Sequence, residues 1–111
     1  MDTLVDRYRK ILEDVLADYA QVRYAFGQIE TETVFDRQRD HYLLMNVGWD
    51  QGRIHGCLVH VDLIDGKVWI QRDGTEEGIA LDLEAAGIPK EHIVLAFREP
   101  ELRKYSGYAV A

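Results

Sequence analysis

HVDLIDGKVWIQ, residues 60–71, is the stretch whose reading decides the fold. Asp65-Gly66 is the signature of a two-residue hairpin, because both central positions of that turn need positive φ. On either side, apolar Val61, Leu63, Val68 and Ile70 alternate with a second set of side chains, which is the period of a strand. A two-residue turn also fixes register. Leu63 then faces Val68 and Val61 faces Ile70, and a slip of one residue would exchange the two faces of the sheet.

Working back from that hairpin, runs at 29–36, 40–49 and 53–64 are rich in β-branched and aromatic residues, as is 67–72 beyond it. Asp50-Gln51-Gly52 fits a three-residue hairpin with Gly52 in the left-handed position, and Arg37-Gln38-Arg39 closes the first hairpin. Four strands joined by short turns make an antiparallel meander. Carried across the second hairpin, the register sets Met45 against Cys57 and Leu43 against Val59, all on the core face. The opposite face then carries Tyr42, Leu44, Leu58, His60, Asp62, Ile64, Trp69 and Gln71. A solvated face should be mostly polar and this one is not, so the expectation is a cover: the rest of the chain, a second copy or a partner.

Residues 4 to about 24 read as an amphipathic helix, with Leu4, Tyr8, Ile11, Leu12, Val15, Leu16 and Tyr19 on one stripe. Thr3 is the expected N-cap, Asp6 completes an acidic capping box, and Gly27 is the expected stop. Downstream, residues 76–86 read as a short helix, with Gly87 and Pro89 ending it. Ile93 to Phe97 reads as a buried fifth strand and 100–105 as a final short helix begun by Pro100. The apolar tail YAVA is expected to dock. The fold class expected is α+β. A long N-terminal helix packs on a four- to five-stranded, mainly antiparallel sheet, with a short helix and a C-terminal short helix, in one domain spanning 1–111.

Composition narrows the function classes. Twenty acidic residues against 13 basic ones give a formal charge of −7 in 111 residues. Autonomous duplex binding needs a basic face that releases counterions, so direct nucleic-acid binding is disfavoured. The start, MDTLVDRYRK, is charged and carries no long apolar run, against a signal peptide or membrane span. A lone cysteine, Cys57, points to a reducing cytoplasm.

Candidate sites each have a structural competitor. WIQRDGTEEGI, residues 69–79, gathers Asp73, Glu76 and Glu77 beside Arg72, which reads as a metal or acid–base site. It reads equally as a strand end and a helix start, with Asp73 or Thr75 as cap and both glutamates in the first turn, where the helix dipole favours them. Asp62 with Asp65-Gly66-Lys67 has the spacing of a nuclease metal site, but the same residues form the hairpin turn. His41, His55, His60 and His92 lack paired ligand spacing, and the register sets His41 and His55 on the opposite face from His60, so no metal or cofactor site is expected. Cys57, facing the core, acts as a small apolar residue. No nucleophile–base pair or phosphate-cradling glycine loop is present, so no catalytic residue is assigned. The expected contact surface is a cross-strand row of Tyr42, His60 and Gln71, with Asp62 and Trp69 beside it, serving a partner or an oligomer.

Three stretches carry a resemblance: LLMNVGWDQGRIHG at 43–56, HVDLIDGKVWIQRDGTEEGIALDL at 60–83 and AAGIPKEHIVLAFREPELRKYSGYAVA at 85–111. With the TETVFDRQRDHY hairpin and the first helix, the chain resembles the XisI-like family, the fdxN element excision controlling factors. The resemblance implies control of excision of a DNA element, together with a companion XisH-like protein and a separate recombinase. It carries over no catalytic residues. Trp69, Gln71, Arg72, Asp73, Gly74, Thr75 and Glu76 are matched as a strand-to-helix family motif. The leading reading is a non-enzymatic regulatory protein acting through protein contacts as a homo-oligomer. The reading from another class is a small metal-dependent enzyme acting on nucleic acid through carboxylates near residues 73–77.

Overall fold

The computed structural model describes residues 3–21 and 28–111. Asp65 (φ 51°) and Gly66 (φ 77°) turn the chain between β3 (Arg53–Ile64) and β4 (Lys67–Asp73), as the Asp-Gly pair dictates. Upstream, β1 (Gln28–Asp36) and β2 (His41–Trp49) complete an antiparallel meander, and β5 (Ile93–Leu95) adds in parallel beyond β4. The spatial order equals the chain order, β1-β2-β3-β4-β5. β5 is parallel because α2 (Ile79–Ala85) carries the chain back across the sheet, as a parallel pair requires. It is shorter than the expected 93–97: Phe97 turns outward and is exposed.

α1 (Leu4–Ala20) starts as its sequence asks. Thr3 Oγ1 accepts the Asp6 N–H at 3.1 Å, and Asp6 Oδ2 accepts the Thr3 N–H at 3.2 Å. Tyr8, Leu12 and Leu16 are buried; Val5, Ile11, Val15 and Tyr19 pack beside them, while Leu4 is exposed. Each fully buried apolar side chain contributes about 1.5–3 kcal/mol before entropy. The expected continuation to residue 24 and the stop at Gly27 fall outside the described residues. α2 lies on the same side of the sheet, adding Ile79, Ala80 and Leu83 to one core with Val59, Val61, Leu63, Val68, Ile70, Ile93 and Leu95.

Two hairpins differ from expectation in detail. In the second, Gln51 takes the left-handed φ of 56°, and Gly52 sits at 148°. In the first, Asp36 pairs with His41, so four residues form the loop and Asp40 carries φ 56°. Asp40 tolerates this because its carboxylate is held: Arg9 donates from Nε at 2.8 Å and Nη2 at 3.1 Å, and the Tyr42 hydroxyl donates at 2.9 Å. This links α1 to the first hairpin.

The larger difference is register. Leu63 faces Val68, Val61 faces Ile70 and Met45 faces Cys57, as expected. Leu43, however, faces His60 rather than Val59, because β2 and β3 step out of phase between Leu44 and Met45, with Leu58 as the extra residue. A bulge of this kind exchanges faces along everything beyond it. Tyr42 and Leu44 are therefore fully buried in the core, and Leu43 lies on the other face with His60. A second shift between β3 and β4 sets His60 against Arg72 and leaves Gln71 as the extra residue.

The C-terminus docks as its apolar character suggests. The Ala109 N–H donates to the Ile93 carbonyl at 2.8 Å, alongside a parallel bridge between Val94 and Ala109. Before it, Pro100–Tyr105 forms a 3-10 helix.

Candidate functional site

The same register shift assembles a polar cluster on the face opposite α1. His41 and Asp62 become cross-strand partners, Asp62 pairs in turn with Trp69, and Trp69 with Val94. One row therefore crosses four strands. His60 joins it from two residues before Asp62 on β3, on the same face by the strand period.

At the centre of this row the Asp62 carboxylate is nearly buried, with 8% of the residue exposed. Its Oδ1 lies 2.6 Å from His41 Nδ1 and 2.8 Å from His60 Nε2. Gln71 Nε2 donates to Oδ2 at 3.4 Å. The two imidazoles meet edge to face, with ring centroids 6.0 Å apart. Among the described residues, His41, His60 and Asp62 are the one grouping of three metal-capable side chains, with donor atoms all within 4.8 Å of one another. On the far side of the row, the Arg103 guanidinium lies 5.5 Å from the centroid of the Trp69 ring. The chain thus covers part of this face itself.

The strand-to-helix motif has a different structure from the one expected. α2 begins at Ile79, not 76, so Glu76 and Glu77 are exposed in the connecting bend rather than in a first helical turn. Asp73 is the organiser. Its Oδ2 accepts the Ile79 N–H at 2.7 Å, and its Oδ1 accepts the Thr75 N–H at 3.0 Å and hydroxyl at 2.5 Å. Thr75 Oγ1 accepts the Gly78 N–H at 3.1 Å. This satisfies donors at the helix start that would otherwise be orphaned. Asp73, Glu76 and Glu77 do not converge as a ligand group. Arg72 and Gly74 hold the bulge: Arg72 Nε donates to the Cys57 carbonyl and the Gly74 N–H to the Leu58 carbonyl, both at 2.8 Å.

Of the expected contact row, His60, Asp62 and Gln71 come together, with Trp69 adjoining. Tyr42 does not: it is in the core, facing Val61. His41 takes the place given to Tyr42, contrary to the reading that set it on the opposite face from His60. Arg103 was not expected at the site at all. Its single cue was an arginine near an apolar C-terminus, which does not name a ring to cover. Cys57 is half-buried, and burial pushes its thiol up, away from nucleophilic use.

The family and structure comparisons agree over nearly the whole chain. No curated protein matches it. The crystal structure of a XisI-like protein from Anabaena variabilis ATCC 29413 superposes with a TM-score of 0.87 at 37% identity, covering 98% of this chain and 100% of that one. A second crystal structure from the same organism, the fdxN element excision controlling factor XisI, superposes with a TM-score of 0.83 at 28% identity, again covering 98% and 100%. The family model described as XisI protein matches residues 1–110, and the chain belongs to the XisI family.

Proposed function

We propose that the chain is a non-catalytic accessory factor in control of DNA-element excision and that it acts by contacting protein. The observation that carries this reading is the likeness to an excision controlling factor along essentially the full length of both chains. The partner in this reading is a companion XisH-like protein, with the recombinase supplied separately.

Physical chemistry supports contact with protein over contact with DNA. A net charge of −7 opposes condensation onto a polyanion, and the counterion-release contribution that drives such binding needs clustered cations. The open sheet face carries half-buried Leu43 and Trp69 with exposed Val34 and Ile64 beside the polar row, the mixture of anchors and hydrogen-bonding groups typical of interfaces. Self-association through this face belongs to the same proposal, as does a cytoplasmic setting for a chain with one half-buried thiol. No described helix is long and apolar enough to cross a membrane.

The test is co-elution of the purified chain with a purified XisH-like companion, alongside light scattering of each alone. A complex at micromolar concentration that Trp69→Ala weakens supports the proposal. Repeated failure to associate at that concentration overturns it.

A further inference from the structure

We infer that His41, His60 and Asp62 form a binding site for a zinc-class divalent transition-metal ion, with one coordination position left open at the surface. The inference stands apart from the accessory role proposed above.

Donor chemistry comes first. Two imidazole nitrogens and one carboxylate oxygen suit borderline first-row ions such as Zn²⁺, Co²⁺ or Ni²⁺, and do not suit Mg²⁺ or Ca²⁺, which take oxygen. Geometry comes next. Ligands about 2.0–2.2 Å from a tetrahedral ion lie roughly 3.4 Å from one another. The three donor atoms all fall within 4.8 Å, with the two nitrogen–oxygen separations at 2.6 and 2.8 Å. Opening those two separations by about 0.6–0.8 Å, with the two imidazole nitrogens at a similar spacing, admits the ion, a change on the scale of side-chain rotation. The strands need not move, since His41 and Asp62 are already register partners and His60 shares their face.

The metal-free arrangement also leaves something over. Both imidazoles direct a ring nitrogen at the same oxygen, Oδ1, while among the described residues Oδ2 has only the long contact from Gln71. A nearly buried carboxylate is thus crowded on one oxygen and thinly held on the other. Metal binding uses His41 Nδ1 and His60 Nε2 as lone-pair donors and moves each ring proton to the other nitrogen. Gln71 then orients the ligating carboxylate, the kind of outer partner that metal sites commonly carry. Access is open: the side chains of His41 and His60 are 46% and 33% exposed, against 12% for Asp62. The remaining position is left for water or for a donor from another molecule.

The experiment uses the full, tag-free chain after chelator treatment and dialysis. Zn²⁺ is titrated by calorimetry, and Co²⁺ is added while visible absorption is recorded. The expected result is one equivalent bound at micromolar Kd or tighter, a Co²⁺ band characteristic of four- or five-coordination, and a rise in thermal midpoint with Zn²⁺. His41→Ala and His60→Ala should each weaken binding at least about tenfold and abolish the Co²⁺ band. Asp62→Asn tests the carboxylate but risks the fold. His41→Ala, at an exposed position, keeps the test decisive, with circular dichroism verifying structure. Absence of heat and band in folded protein overturns the inference. So does binding that survives both histidine substitutions, which would place the ion elsewhere on the surface.

Discussion

The Gly74 N–H donates to the Leu58 carbonyl at 2.8 Å, so the residue that follows β4 also holds the residue that puts β3 out of step with β2. The neighbouring carbonyl, Cys57, is held by Arg72. A bulge leaves backbone groups outside the ladder that must find other partners. Here the strand-to-helix motif supplies them, while Asp73 and Thr75 hold the start of α2. This small device decides which side chains enter the core and which reach the open face.

Gly74→Ala should strain that device. An added Cβ would sit 2.9 Å from Leu58 Cδ1 and 3.0 Å from the Leu58 carbonyl oxygen. The methyl can swing aside, but the carbonyl cannot without loosening its bond to Gly74. The expected loss is about 1–3 kcal/mol, the usual cost of overpacking. Gly56→Ala is the control, since nothing lies within 4 Å of its Cβ. Gly48→Ala should be worse than either, because its Cβ would fall 1.9 Å from the Gln28 carbonyl oxygen. Urea unfolding ranks the three. A Gly74→Ala protein as stable as Gly56→Ala would show that the bulge is not held at this point.

The register predicts an inverted pair on β2. Tyr42 is fully buried and Leu43 only half-buried. Tyr42→Ala should therefore cost about 3–5 kcal/mol, and Tyr42→Phe, which removes only the bond to Asp40, about 1 kcal/mol. Leu43→Ala should cost less than Tyr42→Ala. Strands in step would give the reverse order, with Leu43 the expensive position. Equilibrium denaturation of these variants decides between the two registers without a crystal.

Why one half of the sheet was legible and the other not follows from where the information sits. Asp65-Gly66 acts on its immediate neighbours, so Leu63, Val68, Val61 and Ile70 could be paired from sequence alone. Thr3 and Asp6 likewise define the start of α1 through local bonds. The extra residues Leu58 and Gln71 have no such local mark. What stabilises the first is a carbonyl's partner just past the end of β4, Gly74, and a period-two reading passes straight over it. An unbroken period of two sets His41 on the core face for this reason alone and hides its cluster with His60 and Asp62. Capping-box spacing makes Asp73 a nearby cap and starts α2 too early, whereas its carboxylate reaches on to the Ile79 N–H.

Acid should act through Asp40. The Arg9 guanidinium holds its carboxyl below the ordinary value, with burial working in the opposite direction and the Tyr42 hydroxyl adding to the effect of Arg9. A carboxylate with a lowered folded pKa contributes stability that is fully present above its unfolded value and is lost as pH falls through the folded one. Asp40→Asn should thus lower the thermal midpoint near neutral pH. The gap from wild type should close as pH falls below the ordinary carboxylate value towards about 2. Glu13 also has a lowered value, but it titrates in both proteins and cancels in the difference. Asp6 shares the Arg9 guanidinium with Asp40, so the double variant Asp6→Asn/Asp40→Asn, compared with Asp6→Asn, isolates the part due to Asp40. A gap of constant size across that range would mean that Asp40 acts as a neutral acceptor rather than as a charge.

Arg103 fastens the C-terminal segment over Trp69. It donates to the carbonyls of Arg98 at 3.2 Å, Ala96 at 3.3 Å and Val110 at 3.4 Å, and lies above the indole. Those bonds are long and each is individually modest, and the ring contact adds about 0.5–1 kcal/mol. Arg103→Ala should cost about 1–2 kcal/mol in all and leave the sheet intact. The local effect should be larger: the Ala109 N–H, bonded to Ile93, should lose hydrogen-exchange protection, while the Ala96 N–H, bonded to Ile70, keeps it. In a Trp49→Phe background, which removes the exposed second indole, the emission of Trp69 should shift to the red as its cover leaves. Arg103→Lys keeps the charge but not the planar fork, so it should recover little of the protection. Undiminished protection at Ala109 in Arg103→Ala would assign the docking instead to Tyr108, which packs on the core and donates to Glu84 at 2.7 Å.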